Sequence, residues 1–114
     1  MTLLNDIQVW TTACRHDHLI PNRGVGVLLP EGAQAALFLL DDGSLHAVGN
    51  IDPFSGAAVM SRGIVGDRGG RATVQTPIKK QAFALHDGRC LDDPEVALPV
   101  YATRIVGGYV EIGV

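Results

Sequence analysis

The sequence predicts an all-β domain, a small sandwich or barrel of about ten short antiparallel strands. The first observation is the distribution of turn-forming residues. The 14 glycines and 6 prolines are scattered singly or in pairs through 114 residues. Such scatter is typical of many turns and not of a low-complexity segment. The second observation is that short segments such as residues 71–76 alternate apolar and polar side chains, which is the period of a half-buried strand. The third is that no stretch of the sequence reads as a convincing amphipathic helix.

The predicted strands follow one another closely along the chain. They cover residues 7–12, 24–29, 33–40, 45–48, 63–70 (a short strand and its turn), 71–76, 82–85, 89–91, 100–106 and 109–112. Hairpin turns are predicted at residues 41–43, 86–88 and 107–108, where Asp-Gly or Gly-Gly pairs occur. Residues 33–40 are rich in Ala and Leu and would also allow a helix, but their short length and the following Asp-Asp-Gly favour a strand. Trp10 is expected to face the core, and residues 14–21 to form a loop or one short helical turn.

Length, charge and cysteine usage limit the possible classes of function. A chain of 114 residues predicts one domain over residues 1–114. Such a domain is large enough to bury a stable core without disulfides or a structural metal. The net charge of −3 and the pI near 5.7 show no excess of positive charge of the kind that binds nucleic acid or an anionic membrane. The sequence has neither an apolar run of about 18 residues nor an export signal. We therefore expect a cytoplasmic protein in which Cys14 and Cys90 are reduced thiols.

The best local cue for a metal site is the segment that contains Cys14, His16 and His18. Its C-x-H and H-x-H spacing is short enough for shared ligation. A closed zinc site needs four ligands, however, and Cys90 has no histidine nearby to complete a second pair. The sequence therefore favours an exposed loop with solvated histidines.

Motifs for nucleophilic catalysis or phosphate binding are also missing from the sequence. Ser55 and Ser61 are not surrounded by a G-x-S-x-G motif. The glycine-rich residues 63–70 do not match G-x-G-x-x-G, and no predicted helix follows them to receive a phosphate. Local motifs therefore identify no catalytic residue and no cofactor-binding residue.

The order of the elements resembles that of the Rieske iron–sulfur domain over almost the whole chain. The strand with Trp10 comes early, the hairpin at residues 41–43 follows, and two Pro-containing loops come next, at residues 50–63 and 76–80. In that family the two loops read C-x-H and C-x-x-H and hold a [2Fe–2S] cluster, with two Cys on one iron and two His on the other. The resemblance implies a Rieske-like fold in which residues 50–63 and 76–80 together form one tip.

All four cluster ligands are replaced in this sequence. Asp52 and Phe54 stand at the Cys and His positions of the first loop, and Thr76 and Lys79 stand at those of the second. Thiolate holds iron in such clusters, and a hydroxyl or a phenyl ring cannot substitute for it. The resemblance therefore implies a degenerate cluster-binding tip, with no metal ligand and no cofactor bound by this chain.

One branch of this superfamily is especially similar, namely the small subunits of assimilatory NAD(P)H-dependent nitrite reductase. The similarity lies in D-P-F-S at residues 52–55, S-R-G-I at 61–64 and T-P-I-K-K at 76–80. In that family a large catalytic subunit with flavin, a [4Fe–4S] cluster and sirohaem reduces nitrite to ammonia. The resemblance implies a non-catalytic small subunit that associates with such a large subunit and is inactive by itself.

Two other functions stay open on the sequence alone. The first is a Rieske-type [2Fe–2S] ferredoxin-like electron carrier, against which the four replaced ligands argue. The second is an independent small-molecule-binding β domain. Asp52, Ser55 and Lys79 are polar enough for such a site, but no acid–base pair can be identified among them.

Without a cluster, other contacts must hold the two loops, because each loop costs ordering entropy. We expect Asp52 and Lys79 to form an ion pair, and Phe54 to fill the space that a ligand and a cluster would occupy. We also expect the tip to contact the large subunit, because aromatic, Met and Arg side chains are enriched at interfaces. Phe54 and Ile64 could instead belong to the edge of the core. The predicted contact residues are Phe54, Met60, Arg62, Ile64, Ile78, Lys79 and Lys80.

Overall fold

The fold is all-β, as the sequence predicts. A computed structural model describes residues 9–114. Its strands are β1 Trp10–Arg15, β2 Val25–Leu28, β3 Gln34–Leu39, β4 Leu45–Gly49, β5 Ile64–Arg68, β6 Arg71–Gln75, β7 Ala82–Ala84, β8 Val100–Val106 and β9 Tyr109–Gly113. Single turns of 3₁₀ helix occupy His16–His18, Pro30–Gly32 and Met60–Arg62. Within residues 9–114, no helix has the length and apolar character needed to cross a membrane.

The strands form two antiparallel sheets. The larger sheet has the order β1-β9-β8-β4-β3-β2, and the smaller has the order β5-β6-β7. The turn between β3 and β4 is closed by Asp42, whose carboxylate accepts hydrogen bonds from the backbone N–H and the hydroxyl of Ser44 at 2.9 and 2.6 Å. Gly107 and Gly108 make the turn between β8 and β9 with positive φ values of 57° and 83°, which glycine adopts without steric cost. Both predicted hairpins are confirmed.

The third predicted hairpin is only partly regular. Residues 86–88 reverse the chain after β7, and Gly88 has a φ of 77°. The return segment is reduced to isolated bridges, from Phe83 to Cys90 and from Arg89 to Ala97. The sequence overestimates this strand because a short β-like segment can make one bridge without extending into a ladder.

β3 is buried on both faces, and it separates two apolar clusters. Ala36 and Phe38 pack into a cluster that also takes Val74 and Phe83 from the smaller sheet. The alternate residues of β3 pack into a second cluster formed by the larger sheet and its loops. Burial on both faces explains why the sequence of β3 is a continuous apolar run instead of an alternating one.

Trp10 does not face the core, contrary to the prediction. Its side chain is half-buried, and the guanidinium carbon of Arg104 lies 4.0 Å from the ring centroid. Arg104 also donates a hydrogen bond to Glu111 at 2.6 Å. The indole therefore lies in a cation–π contact with a side chain of β8. Residues 7 and 8 of the strand predicted here lie outside the described range.

The two sheets bring the tip together. The first tip loop leaves the end of β4 in the larger sheet, and the second leaves the end of β6 in the smaller sheet. Because Val48 of β4 and Val74 of β6 belong to the same apolar cluster, the two loops emerge side by side.

Candidate functional site

The first tip loop is a closed hairpin-like loop with Asn50 at its base. The Asn50 side chain is buried, accepts a hydrogen bond from the Ser61 N–H at 2.8 Å and donates one to Gln34 at 3.2 Å. The Asn50 carbonyl also accepts from the Met60 N–H at 3.0 Å. One amide residue therefore fixes both the entry and the exit of the loop. Asn50 is not among the site residues predicted from the sequence, where its only signal is that it is a polar residue directly after a buried strand.

Asp52 is the centre of the tip. Its side chain is 0% exposed. One carboxylate oxygen accepts from the Phe54 N–H at 2.9 Å, and the other accepts from the hydroxyls of Ser55 and Thr76, each at 2.9 Å. The bond from Thr76 joins the two loops, and Thr76 is itself buried. Burial acts to raise the pKa of Asp52, but the hydrogen bonds from Phe54, Ser55 and Thr76 hold the pKa below its usual value.

The second tip loop is a tight turn that follows β6. The Thr76 N–H donates to the Gln81 carbonyl at 2.9 Å, and the Lys80 N–H donates to the Thr76 carbonyl at 3.2 Å. The side chain of Gln75 donates to the Lys80 carbonyl at 2.8 Å. Lys80 adopts a left-handed conformation with a φ of 62°. These bonds fix the backbone around Thr76, so its hydroxyl points at Asp52.

The predicted ion pair between Asp52 and Lys79 is wrong. Lys79 is exposed, and the salt bridges found among residues 9–114 do not include it. The physical reason is that Thr76 reaches Asp52 inside the tip, whereas burying an ammonium group there would cost its hydration. A neutral hydroxyl satisfies the carboxylate at a lower desolvation cost.

Phe54 packs as expected for a side chain that fills the tip. It is partly buried against the apolar cluster shared by the two sheets. Its ring centroid lies 6.1 Å from that of Phe83, with the rings tilted by 50°. This geometry lies within the range that favours aromatic pairs, so Phe54 belongs to the edge of the core and still presents part of its ring to solvent.

The predicted contact residues divide into exposed and buried ones. Ile64 is 65% exposed and Ile78 is 47% exposed, and Arg62, Lys79 and Lys80 are also exposed. Met60, however, is 0% exposed and packs with the core, so the prediction that it belongs to the contact surface is wrong. The sequence misled because Met60 is the buried residue of a 3₁₀ turn whose last residue, Arg62, is exposed.

The residues at the ligand positions do not fit a [2Fe–2S] cluster. Such a cluster needs two thiolates and two imidazoles, and the four positions hold Asp52, Phe54, Thr76 and Lys79. The Asp52 carboxylate already accepts three hydrogen bonds inside the tip. No group of three or more His, Cys, Asp or Glu side chains suited to a metal ion occurs in residues 9–114.

The other sequence cues do not form a site either. Cys14 lies on β1 and is partly buried, whereas Cys90 is buried in the core, and both are free thiols. His16 and His18 lie on a 3₁₀ turn without a buried residue. Asp17 between them is bound by Arg15 at 3.1 Å. The histidines whose spacing suggested a metal site therefore lie on a turn without buried residues.

Comparisons with known proteins point to one family. Residues 9–113 match the model of the Rieske-like [2Fe-2S] domain. The nitrite reductase (NADH) small subunit of Salmonella typhimurium is 36% identical over 104 residues, which cover 90% of this chain and 95% of that protein. A crystal structure designated as an NADH-dependent nitrite reductase small subunit from Mycobacterium tuberculosis is 73% identical, with a TM-score of 0.92, and the match covers 96% of this chain and 97% of that one.

A large subunit is also similar to this chain over part of its length. The nitrite reductase [NAD(P)H] large subunit of Klebsiella oxytoca is 38% identical over 104 residues. The match covers 91% of this chain but only 11% of that protein. That polypeptide therefore contains a segment similar to nearly all of the present chain.

Proposed function

Since the chain belongs to the family of Rieske-like [2Fe-2S] domains, we propose that it serves as the small subunit of an NAD(P)H-dependent nitrite reductase. The observation that carries this proposal is its similarity to a nitrite reductase small subunit over 95% of that protein's length. In this role the chain is one part of an oxidoreductase complex. Flavin, a [4Fe–4S] cluster and sirohaem belong to the large subunit, which reduces nitrite, and the small subunit is inactive by itself.

The Klebsiella oxytoca large subunit supports the association of the two chains. A segment similar to this chain occurs there within the same polypeptide as the large subunit. Covalent linkage keeps two domains at a high effective concentration, as a stable complex would. We place the complex in the cytoplasm, which is consistent with the free thiols of Cys14 and Cys90.

We further propose that the small subunit binds no iron–sulfur cluster and does not act as an electron carrier. The misfit at Asp52, Phe54, Thr76 and Lys79 supports this. The test is to incubate the purified chain with Fe²⁺ and sulfide under reducing conditions and to record its visible spectrum after desalting. We expect no absorption bands and no retained iron. A coloured, iron-containing protein would restore the electron-carrier function.

The exposed part of the tip is the proposed contact surface for the large subunit. It presents exposed isoleucines beside cationic side chains, with a partly exposed aromatic ring. The residues of this surface are Phe54, Arg62, Ile64, Ile78, Lys79 and Lys80. Apolar groups next to arginine are typical of interaction surfaces.

Co-expression with the large subunit tests this surface. Phe54→Ala and Arg62→Ala are expected to reduce the amount of large subunit recovered with the chain. Ile105→Ala and Arg71→Ala are matched controls, because both residues are exposed and lie outside the tip. Undiminished recovery with both tip variants would move the interface elsewhere. Nitrite-dependent NADH oxidation, assayed with each subunit alone and with both, is expected only where the large subunit is present.

A further inference from the structure

We propose that Arg23 and Arg62 flank a cleft that receives the carboxylate of an acidic side chain on the large subunit. This inference rests on the proposed function and specifies the chemistry of its partner. It adds a residue, Arg23, that lies outside both tip loops in the sequence and that the fold brings to them.

The cleft lies between the segment that leads into β2 and the 3₁₀ turn that ends the first tip loop. It has a volume of about 240 Å³ and is lined by Asn22, Arg23, Gly24, Ser61, Arg62 and Gly63. The cleft is not evident in the sequence because its two halves come from distant parts of the chain.

Close backbone packing fixes the floor of the cleft. A Cβ atom built on Gly24 would lie 2.3 Å from the Ser61 carbonyl oxygen. One built on Gly63 would lie 2.6 Å from a methyl group of Val74. Ser61 is also held by the side chain of Asn50 at 2.8 Å. The backbones that carry the two arginines are therefore held against each other, which reduces the entropy lost when both bind one ligand.

The charge of the cleft is not neutralised within the described part of the chain. Among residues 9–114, Arg15, Arg68 and Arg104 form salt bridges, but Arg23 and Arg62 do not. The nearby carboxylate of Asp41 accepts a hydrogen bond from the side chain of Asn22 at 3.1 Å. A guanidinium group binds a carboxylate through two parallel hydrogen bonds, so two unpaired arginines at one cleft favour such a ligand.

The surroundings favour a carboxylate on a protein surface. The exposed Lys79 and Lys80 add positive charge to the tip, whereas its one acid, Asp52, is buried and hydrogen-bonded. The chain as a whole carries a net charge of −3, so the net charge of the tip is opposite in sign to that of the whole chain. Ile64, directly after the cleft, is 65% exposed. An acidic patch with apolar neighbours on the large subunit would complement both features.

Charge reversal tests the proposal in the complete complex. The affinity of the full chain for the purified large subunit is measured with Arg23→Glu, Arg62→Glu and the double variant. We expect each single reversal to raise the Kd by about 10-fold or more at low salt, and the double variant to lose most of the salt dependence of binding. Arg62→Lys keeps the charge without the planar fork and is expected to lie between wild type and Arg62→Glu.

Matched reversals elsewhere separate the cleft from general charge effects. Arg71→Glu and Arg89→Glu change the net charge equally at exposed residues, and both are expected to bind like wild type. Unfolding curves that superimpose confirm that each variant is folded. Wild-type affinity for the cleft variants, or an equal loss in the controls, would overturn this inference and leave the proposed function intact. Failure of the wild-type chain to bind would instead overturn the proposed function.

Discussion

At the scale of single residues, Asp52 and Thr76 explain how the tip holds together. They occupy the positions of the two cysteines in the family pattern, and both are buried. Their side chains meet at 2.9 Å, so a hydrogen bond joins the loops where a cluster would cross-link them. Phe54 and Lys79, at the two histidine positions, are half-buried and exposed. The inner pair is therefore structural, and the outer pair is available to a partner.

Removing the Asp52 carboxylate is expected to destabilise the fold. Asp52→Ala leaves the hydroxyls of Ser55 and Thr76 and the Phe54 N–H without their acceptor, which costs about 2–3 kcal/mol in the free energy of unfolding. Thr76→Val removes one donor and is expected to cost about 1–2 kcal/mol. Urea denaturation measures both changes, and the double variant is expected to show a coupling energy of about 1 kcal/mol.

Asp42→Ala is the matched control for this prediction. Asp42 also accepts bonds from a backbone N–H and a hydroxyl, both of Ser44, but it lies on an exposed turn. We expect a loss below about 1 kcal/mol, because water replaces its bonds. Equal losses for Asp42→Ala and Asp52→Ala would show that burial of the tip carboxylate has no special effect.

The low pKa of Asp52 predicts a pH dependence of stability. Because the folded-state pKa is depressed, this contribution is fully present above the ordinary Asp value of about 3.9 and is lost as the pH falls through the folded-state pKa. The free energy of unfolding is therefore expected to fall more steeply below about pH 4 in wild type than in Asp52→Asn. Asp17, Asp42 and Asp92 also have lowered pKa values, but they are common to both proteins. Parallel curves through this acid range would argue against the prediction.

At the scale of elements, β2 and the end of the first tip loop depend on close backbone contact. The residue before β2, Gly24, lies against Ser61 and Phe38, and a Cβ there would approach them to 2.3 and 2.7 Å. Gly24→Ala is therefore expected to destabilise the fold by about 1–3 kcal/mol through overpacking.

Gly26→Ala provides a control within the same segment. A Cβ on Gly26 would lie 3.5 Å from the Ser61 hydroxyl oxygen, which is an ordinary contact. Its change in the free energy of unfolding is expected to stay within about 0.5 kcal/mol. If thermal or urea denaturation gave the two variants the same stability, the close approach of Gly24 to Ser61 would not matter for folding.

The sequence predicts most strands and two regular hairpins because these depend on local turn chemistry and alternation. The turns at residues 41–43 and 107–108 illustrate this. The return segment after β7 was overestimated, since local composition does not reveal how far a ladder extends. The sequence predicts Met60 on the surface and Trp10 in the core, whereas Met60 is buried and Trp10 is only half-buried. The orientation of a single residue depends on the packing of distant strands, which local sequence does not show. The bond from Thr76 to Asp52 is not predicted for the same reason. Thr76 and Lys79 lie three positions apart in one loop, and only the packing of that loop decides which side chain faces Asp52.

At the scale of the whole molecule, the two sheets act as a scaffold that presents the tip. The shared core cluster holds β4 and β6 together, and the loops that follow them carry the buried Asp52–Thr76 pair and the proposed contact surface. We therefore propose that an iron-free tip is itself the part of the chain that docks on the large subunit.

The binding of iron-free chain to purified large subunit tests this claim most directly. The chain is treated with a chelator, shown to contain no iron, and titrated into the large subunit by isothermal calorimetry. The predicted result is saturable binding with the same affinity as chain that has been incubated with Fe²⁺ and sulfide. Binding that appears only after iron has been incorporated into the chain would contradict the account.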